Sequence, residues 1–420
     1  MAAAVNVRTE GPSAAHRAAA SSLVVVPAQG TDGQAPVGPD TMLLGLPLLR
    51  RSVLAARRAG FGRILVLTSQ PAEVTRWLDG APATVLPLGA PLPPVPPGRI
   101  VVLAGNILPH PRWLRTLLEM PVAPGQMVRE ADVVGVIEAA DAGAIVSGLS
   151  GGPRAADLFA SLGRSFETVD RPLGLQGMCA LRTPGDIPGA EDWLLRGLVK
   201  ETEGFMSRHV ERRISLRITR WLVRTRIQPN AMTAVSVGIG LLGAPFFLSS
   251  RPSAQLAGAL LFLAHSILDG CDGELARLRF QESRWGGLCD FWGDNLVHVA
   301  VFLCMAVGWS LAAQAAWPLL IGGVALAGVL CSAGFVDRQI LRAKDADGPL
   351  FASLLPSKAS GVPALLDALA RRDFIYGVVL LSALGKAKWF LVLAAAGAPI
   401  FFLLLLWIVC TDPLYRETWS

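Results

Sequence analysis

The chain of 420 residues is poor in charge: Asp, Glu, Lys and Arg make up 17% of it, against about 25% in typical soluble domains. Hydrophobic residues reach 52% and the mean hydropathy is +0.47. Such a composition excludes an ordinary array of soluble domains and indicates either a very large core or contact with lipid. It also excludes disorder over most of the length, because so apolar a chain buries surface readily.

Cysteine is also sparse, with six residues and no CxxC pair. Zinc and redox motifs are therefore not supported, and we expect small buried side chains. Residues 1–21 lack an uninterrupted apolar run before a cleavage site, which excludes a signal peptide and predicts a flexible leader. The net charge of +6 suits anionic lipid or phosphorylated substrates, and we expect no nucleic-acid partner.

Between residues 22 and 204, short β-rich runs alternate with helix-like stretches. The predicted strands are residues 23–27, 63–68, 99–104, 131–137 and 144–146. The predicted helices are residues 43–58, 72–78, 112–120 and 192–200. This alternation predicts βαβ units with a parallel sheet, that is, a Rossmann-like α/β domain over residues 22–204.

The sequence changes character after residue 205. Seven arginines interleaved with apolar side chains over residues 205–230 predict an amphipathic helix in a membrane interface. An all-α membrane domain of six helices is predicted over residues 231–412. Its spans are residues 232–248, 254–269, 290–311, 316–335, 374–385 and 389–410. Basic residues concentrate before the first span and in alternate loops, which predicts that both termini are cytoplasmic.

Four aspartates lie at the predicted ends of spans two and three. Asp269 and Asp272 are three residues apart, and Asp290 and Asp294 are four apart, so each pair shares one helix face. Two antiparallel helices joined by a short loop would bring all four carboxylates to one place. Helix capping or loop solvation does not require four aspartates at these spacings. Such an oxygen-rich cluster suits a hard divalent cation such as Mg²⁺, which often shares its coordination with substrate phosphate.

At these positions the sequence resembles the CDP-alcohol phosphotransferases. It matches the family signature throughout, as Asp269-x2-Asp272-Gly273-x2-Ala276-Arg277-x8-Gly286-x3-Asp290-x3-Asp294. The resemblance covers about residues 205–410. It implies a six-span enzyme of the cell inner membrane, usually a homodimer, with its active site on the cytoplasmic side. Such an enzyme uses two Mg²⁺ or Mn²⁺ ions to transfer a phosphate-linked alcohol from a CDP-alcohol to a hydroxyl acceptor, releasing CMP.

The resemblance also implies roles for individual residues. Asp269, Asp272 and Asp290 would be metal ligands, and Asp294 a shared ligand or the general base. The CDP-binding residues would be Gly273, Ala276, Arg277, Gly286, Asn230 and Thr233. Arg338 and Arg372 are candidates for an acceptor phosphate, although ordinary positive-inside anchoring also explains them. His265 and His298 could touch the site, but we interpret them as packed polar residues.

Residues 42–51 and the strand at 63–68 resemble a sugar nucleotidyltransferase. Fusions of a cytidylyltransferase with a CDP-alcohol phosphotransferase make di-myo-inositol-phosphate phosphate, so a bifunctional enzyme of that kind is one alternative. However, the loop at residues 28–39 lacks the cation that holds a triphosphate, and Gly105-Asn106 stands where the family has Gly-Asp. Since an amide is a poor Mg²⁺ ligand, we predict a degenerate, inactive domain.

Two other activities remain open. One is the synthesis of a phospholipid from CDP-diacylglycerol and a polar alcohol or inositol phosphate. The more remote one is a divalent-cation transporter, because carboxylates inside a membrane also mark ion paths. A transporter would leave Gly273, Ala276 and Arg277 without a role.

Overall fold

The computed structural model describes residues 21–27, 37–88, 90, 98–139, 155–174, 177–199, 204–342 and 373–411. The chain divides into two compact units, Met1–Leu194 and Leu195–Ser420. Four predictions concern residues wholly or largely outside this description: the leader up to residue 20, the loop at 28–39, the strand at 144–146, and Arg372.

The first unit is an α/β structure. Its strands are β1 (Ser22–Val26), β2 (Met42–Leu43), β3 (Leu46–Pro47), β4 (Arg63–Thr68), β5 (Thr84–Pro87), β6 (Gly98–Ala104), β7 (Ile107–Pro109), β8 (Gln126–Glu130), β9 (Val134–Ala139), β10 (Glu167–Asp170) and β11 (Met178–Ala180). Its helices are α1 (Leu48–Ala59), α2 (Pro71–Leu78), α3 (Pro111–Glu119), α4 (Ala155–Ser165) and α5 (Ile187–Arg196).

The main sheet has seven strands in the order β10-β8-β9-β6-β1-β4-β5. The prediction of a parallel sheet is wrong at one strand, because β9 runs antiparallel to both β6 and β8. The connection from β8 to β9 is too short for a crossover, and so short a link can join only antiparallel neighbours. The interior strand β1 is buried along its whole length, as expected of a parallel strand covered on both faces.

The predicted helix at residues 43–58 begins later than expected, at Leu48. Its first residues form the hairpin β2–β3 instead. Leu44 and Gly45 both adopt positive φ angles of 42° and 78°, which is the geometry of a tight two-residue hairpin turn. Residues 43–47 continue the apolar spacing of α1, so the sequence pattern predicted helix where the chain forms a hairpin turn.

The second unit is helical. A π-helical turn (Ser207–Glu211) leads into α6 (Arg212–Leu222), and α7 (Pro229–Gly243) continues as a 3-10 turn (Ala244–Leu248). The long helices that follow are α8 (Pro252–Arg279), α9 (Arg284–Ala313) and α10 (Trp317–Arg342). After residues outside the description come α11 (Phe374–Ala383) and α12 (Ala387–Thr411).

Within the described residues, five helical segments are long and apolar enough to cross a membrane. They are Pro229–Leu248, Pro252–Arg279, Arg284–Ala313, Trp317–Arg338 and Ala387–Trp407. These segments make the second unit an integral membrane structure. The predicted span at residues 374–385 is described as the 10-residue helix α11, whose rise of about 15 Å is half of a ~30 Å hydrocarbon core. The six-helix count therefore stays a prediction.

Small residues set the close approach of α7 to α8. A Cβ atom on Gly243 would lie 3.1 Å from the carbonyl oxygen of Gly258, and one on Gly258 would lie 2.9 Å from the carbonyl oxygen of Gly243. Helices in lipid associate through such close packing, since lipid tails remove the hydrophobic drive between them. Phe262 on α8 and Val297 on α9 belong to the buried core that these helices share.

Candidate metal centre

Three aspartates from two neighbouring helices converge in the membrane unit. Asp269 and Asp272 lie on α8, and Asp290 lies in the second turn of α9. One carboxylate oxygen from each lies within 4.8 Å of the others. Asp269 is 3% exposed and Asp272 is 5% exposed, so this is a buried cluster of acidic groups.

The chain brings α8 and α9 together through a short reversal. Phe280 ends α8 with a left-handed φ of 56°, and Ser283 begins α9. The Ser283 hydroxyl accepts a hydrogen bond of 3.0 Å from the amide of Gly286, which caps the first turn. A reversal of this length makes the two helices antiparallel neighbours. The reversal therefore places Asp269 and Asp272 of α8 beside the first turns of α9.

The predicted span at residues 254–269 extends further than its hydropathy indicated. α8 continues to Arg279, so Asp269 and Asp272 lie inside the helix rather than at its end. Leu275 and Leu278 are buried in this extension. The extra turns are rich in charge, which is why a hydropathy window stops early.

The cluster fits a divalent cation. Three carboxylates in one place, two of them buried and that of Asp290 half-buried, repel one another unless a positive charge lies between them. The buried Oδ1 of Asp290 has no hydrogen-bond partner among the described residues. The Thr233 hydroxyl on α7 donates to Oδ2 of Asp272 and so holds that carboxylate in one orientation. Carboxylate oxygens fixed by such outer contacts are the ligands that Mg²⁺ and Mn²⁺ prefer.

Asp294, one turn after Asp290 on α9, has a different environment. Its side chain is 19% exposed, and its Oδ1 lies 3.2 Å from Nε2 of His265 on α8. The interpretation of His265 as merely packed is therefore wrong. His298 instead packs among aromatic rings, with centroids 5.4 Å from Phe262 and 5.8 Å from Phe374. The structure thus separates one aspartate from the other three and gives it an imidazole neighbour.

The residues expected to contact a nucleotide lie close to the cluster. A Cβ atom on Gly273 would lie 3.2 Å from Nη1 of Arg277, so that guanidinium covers the glycine. A Cβ atom on Gly286 would lie 3.1 Å from Oδ1 of Asn230. Ala276 is half-buried on the same helix. The hydroxyl of Thr233, also expected among the nucleotide contacts, donates to the Asp272 carboxylate.

The structure describes only one of the two arginines expected to bind the acceptor. Arg338 is exposed near the end of α10. Arg372 lies outside the described residues. Among the described residues, Arg338 forms no hydrogen bond or ion pair with the aspartates.

Sequence analysis missed a third carboxylate on α8. Glu274 is 0% exposed and accepts hydrogen bonds from Arg212 (2.6 Å), Ser215 (2.7 Å) and Thr219 (2.6 Å), all on α6. The spacing of these donors, i, i+3 and i+7, places them on one helix face and was the available signal. A polar stripe on the buried side of a basic amphipathic helix indicates a buried polar partner.

Arg279, the last residue of α8, holds the connection between α6 and α7. Its guanidinium donates to the carbonyl oxygens of Ile227 (2.6 Å), Thr225 (2.5 Å) and Val223 (3.1 Å). These carbonyls follow the end of α6 and would otherwise lack partners. Glu274 and Arg279 therefore join α6 and its following turn to the helix that carries Asp269 and Asp272.

In the α/β unit, Asn106 lies in the turn after β6. Its side-chain amide donates to the carbonyl oxygen of Leu181 at 3.1 Å, and the Leu181 amide donates to the carbonyl oxygen of Asn106 at 3.0 Å. This residue joins β6 to the end of β11. Asn106 therefore makes a structural contact at the position where the resemblance to nucleotidyltransferases predicts a metal-binding aspartate.

The membrane unit is similar to known proteins. Residues 226–414 match the family model described as CDP-alcohol phosphatidyltransferase, which confirms the resemblance drawn from the aspartate signature. A protein of Thermococcus kodakarensis named bifunctional IPC transferase and DIPP synthase is 44% identical over 131 residues, which cover 31% of this chain and 29% of that protein. The chain spans between 28% and 32% of the length of the four relatives with this name.

Other relatives carry a different name. CDP-diacylglycerol–serine O-phosphatidyltransferase of Mycobacterium tuberculosis is 34% identical over 96 residues, covering 21% of this chain and 32% of that protein. Among solved structures, phosphatidylinositol phosphate synthase of M. tuberculosis with CDP-DAG bound is 19% identical, with a TM-score of 0.37. It covers 48% of this chain and 96% of its own.

Proposed function

We propose that the chain, of which residues 226–414 match the CDP-alcohol phosphatidyltransferase family model, transfers a phosphate-linked alcohol from a CDP-alcohol to a hydroxyl acceptor. The bond between the donor phosphate and the acceptor oxygen forms, the bond to CMP breaks, and CMP leaves. The observation that carries this proposal is the buried cluster of Asp269, Asp272 and Asp290.

The cluster would hold the divalent ions, Mg²⁺ or Mn²⁺, with two ions expected from the family resemblance. A divalent cation bound there supplies charge neutralisation for the pyrophosphate and makes CMP a competent leaving group. Asp269 and Asp272 would supply ligand oxygens from α8, and Asp290 would supply one from α9. Thr233 keeps Asp272 in position, since its hydroxyl donates to that carboxylate.

Asp294 is the candidate general base. It lies one turn from Asp290, outside the group of three, and is more exposed than Asp269 or Asp272. A base that accepts the proton of the attacking hydroxyl must be reachable by the acceptor. His265 lies 3.2 Å from Oδ1 of Asp294, which gives this carboxylate an imidazole neighbour. This division of labour distinguishes Asp294 from the metal ligands on chemical grounds.

The CDP moiety would bind beside the cluster. Gly273 and Gly286 leave room for close approach, Arg277 offers a cation for phosphate, and Asn230 offers an amide next to Gly286. Ala276 keeps that face of α8 clear. For the acceptor, Arg338 and Arg372 remain the candidates for binding a phosphate.

The relatives support two substrate classes. Relatives named bifunctional IPC transferase and DIPP synthase favour an inositol-phosphate product. Relatives named CDP-diacylglycerol–serine O-phosphatidyltransferase favour a phospholipid. The structural role of Asn106 disfavours cytidylyl transfer by the α/β unit, which we propose is a degenerate nucleotidyltransferase fold. CTP turnover by the full-length protein would contradict this.

The surroundings of the site are part of the same proposal. The basic residues before the first span and in alternate loops support an active site and an α/β unit on the cytoplasmic side of the cell inner membrane. The arginine-rich segment at residues 205–230 would lie along the lipid surface, and a homodimer is expected from the family.

Full-length protein in lipid nanodiscs tests the activity. CMP release is measured with CDP-diacylglycerol and with CDP-inositol, each combined with inositol phosphate and with other polar alcohols, and lipid extraction separates the products. Asp290→Asn and Asp294→Asn should each abolish CMP release, whereas Glu282→Gln, an exposed carboxylate in the loop between α8 and α9, should retain it. Normal turnover by either aspartate variant would refute the assignment. Metal flux in proteoliposomes without donor would support the transporter instead.

A further inference from the structure

Glu274 is a buried carboxylate that the proposed reaction does not use. It is 0% exposed and receives a salt bridge from Arg212, at 2.6 Å. Hydroxyl groups of Ser215 and Thr219 complete its hydrogen bonds, so both carboxylate oxygens are engaged. All three donors come from α6.

This network lies on the side of α8 away from the metal ligands. At 100° per residue, Glu274 lies about 140° from Asp269 and about 160° from Asp272 around the helix. Two further contacts mark the same side: a Cβ atom on Gly270 would lie 3.0 Å from Nη1 of Arg212, and the Cys271 thiol lies 3.6 Å from the carbonyl oxygen of Ser215. α6 therefore packs against the back of the turn whose front carries the carboxylates.

Contacts on opposite sides of a helix fix its rotation. Thr233 holds Asp272 at the front, and the Glu274 network holds the back. Side-chain atoms lie about 5–6 Å from a helix axis, so a rotation of ~10° moves a carboxylate oxygen by ~1 Å. Magnesium coordination requires oxygens at about 2.0–2.1 Å in near-octahedral geometry, which a displacement of this size destroys.

Stability alone gives little reason for such a network. A buried ion pair is often no more stabilising than well-packed apolar side chains, and its best-attested benefit is a unique arrangement. A carboxylate in a membrane helix is costly and marks functional positions.

We propose that Glu274, held by Arg212, Ser215 and Thr219, is a positioning residue that fixes the rotation of α8 and thereby the metal-binding geometry of Asp269 and Asp272. The inference rests on the proposed function only for the nature of the ligand, a divalent cation. It makes α6 a structural part of the metal centre as well as a basic helix at the membrane surface.

The test measures Mn²⁺ affinity of the full-length purified protein by electron paramagnetic resonance, beside its thermal stability and its Mg²⁺ dependence of CMP release. Thr219→Val keeps the shape of the side chain and removes one hydrogen bond, and we expect about fivefold weaker Mn²⁺ binding. Glu274→Gln removes the charge and should weaken Mn²⁺ binding by about 10–100-fold, as loss of outer contacts does at other metal sites. Arg213→Gln is the matched control, since Arg213 adjoins Arg212 but is exposed, and its affinity should stay within about twofold of wild type.

The outcomes separate positioning from mere stabilisation. If Thr219→Val lowers the thermal midpoint but leaves Mn²⁺ affinity within about twofold of wild type, the inference is overturned, whatever Glu274→Gln does. Should Glu274→Gln fail to fold, Thr219→Val alone decides. A wild-type protein that binds Mn²⁺ but releases no CMP contradicts the proposed function and leaves this inference to be judged on Mn²⁺ affinity. A wild-type protein that binds no Mn²⁺ overturns it.

Discussion

Gly238 and Gly240 lie two residues apart on α7 but have different surroundings. A Cβ atom on Gly240 would lie 2.5 Å from Cγ1 of Val297 and 3.0 Å from Cγ of His265. A Cβ atom on Gly238 would meet nothing within 4 Å among the described residues. The same change to alanine should therefore have opposite effects on stability at the two positions.

The magnitudes follow from two opposing terms. Replacing glycine by alanine inside a helix stabilises by about 1 kcal/mol. Ordinary carbon contacts are about 3.5–4.0 Å, so the methyl group of Gly240→Ala forces α7 and α9 apart by ~1 Å. Overpacking of this kind costs about 1–3 kcal/mol. We expect a net loss of up to ~2 kcal/mol for Gly240→Ala and a gain of up to ~1 kcal/mol for Gly238→Ala.

The assay heats full-length protein in detergent and measures the fraction that remains monodisperse by size-exclusion chromatography. At about 2–4 °C per kcal/mol, Gly240→Ala should lower the midpoint by up to ~8 °C and Gly238→Ala should raise it by up to ~4 °C. Val297→Ala removes both clashing methyl groups, so the double variant should be more stable than the sum of the two single effects. A Gly240→Ala protein at least as stable as Gly238→Ala would refute the close approach of α7 to α9.

Three further predictions concern the metal cluster and the α/β unit. Thr233→Val should weaken Mn²⁺ binding about 10–100-fold because Asp272 loses its donor, whereas Thr233→Ser should bind normally; equal affinities would contradict the role of the hydroxyl. Asp290→Asn should abolish Mn²⁺ binding yet raise the thermal midpoint of metal-free protein, since it relieves repulsion among carboxylates; a lowered midpoint would argue against that repulsion. Burial, and then the charges of Arg112 and Arg58, lower the pKa of His110, the residue that caps α3 through its Nδ1. A His pKa lower in the folded than in the unfolded state makes the fold lose stability as pH falls below the unfolded value. The hydrogen-exchange protection factors of α3, corrected for the intrinsic pH dependence of amide exchange, should therefore decrease from pH 7 to pH 5 in wild type and less in His110→Asn, which retains a capping side chain.

Local patterns gave good predictions where one physical constraint dominates. Five of the predicted spans coincide with long apolar helices, because a chain in lipid must satisfy its own backbone hydrogen bonds. The strand at residues 63–68 is observed with the same bounds, since its apolar run is bounded by turn residues. The antiparallel strand β9 and the hairpin β2–β3 were not predicted. Both depend on short turns that a search for βαβ units passes over.

The aspartate site was also predicted only in part. Spacing along the sequence placed Asp269 with Asp272, and Asp290 with Asp294, on shared helix faces. It did not show that Asp294 contacts His265 and lies outside the group of three. Helical period is a local property, whereas the partner across an interface depends on how far each helix is rotated about its axis.

The sequence by itself determined that the second half of this chain lies in a membrane and carries a clustered set of aspartates in the signature of a known enzyme family. Composition and spacing suffice for those conclusions because lipid and the α-helix impose them residue by residue. Only the tertiary structure decided which carboxylates meet, and that Glu274 is held by side chains 55–62 residues earlier in the chain. Close packing at Gly240, Gly243 and Gly258 sets the distances among α7, α8 and α9, and Gly270 lies where α6 approaches α8, so the packing of the helices decides which side chains can touch.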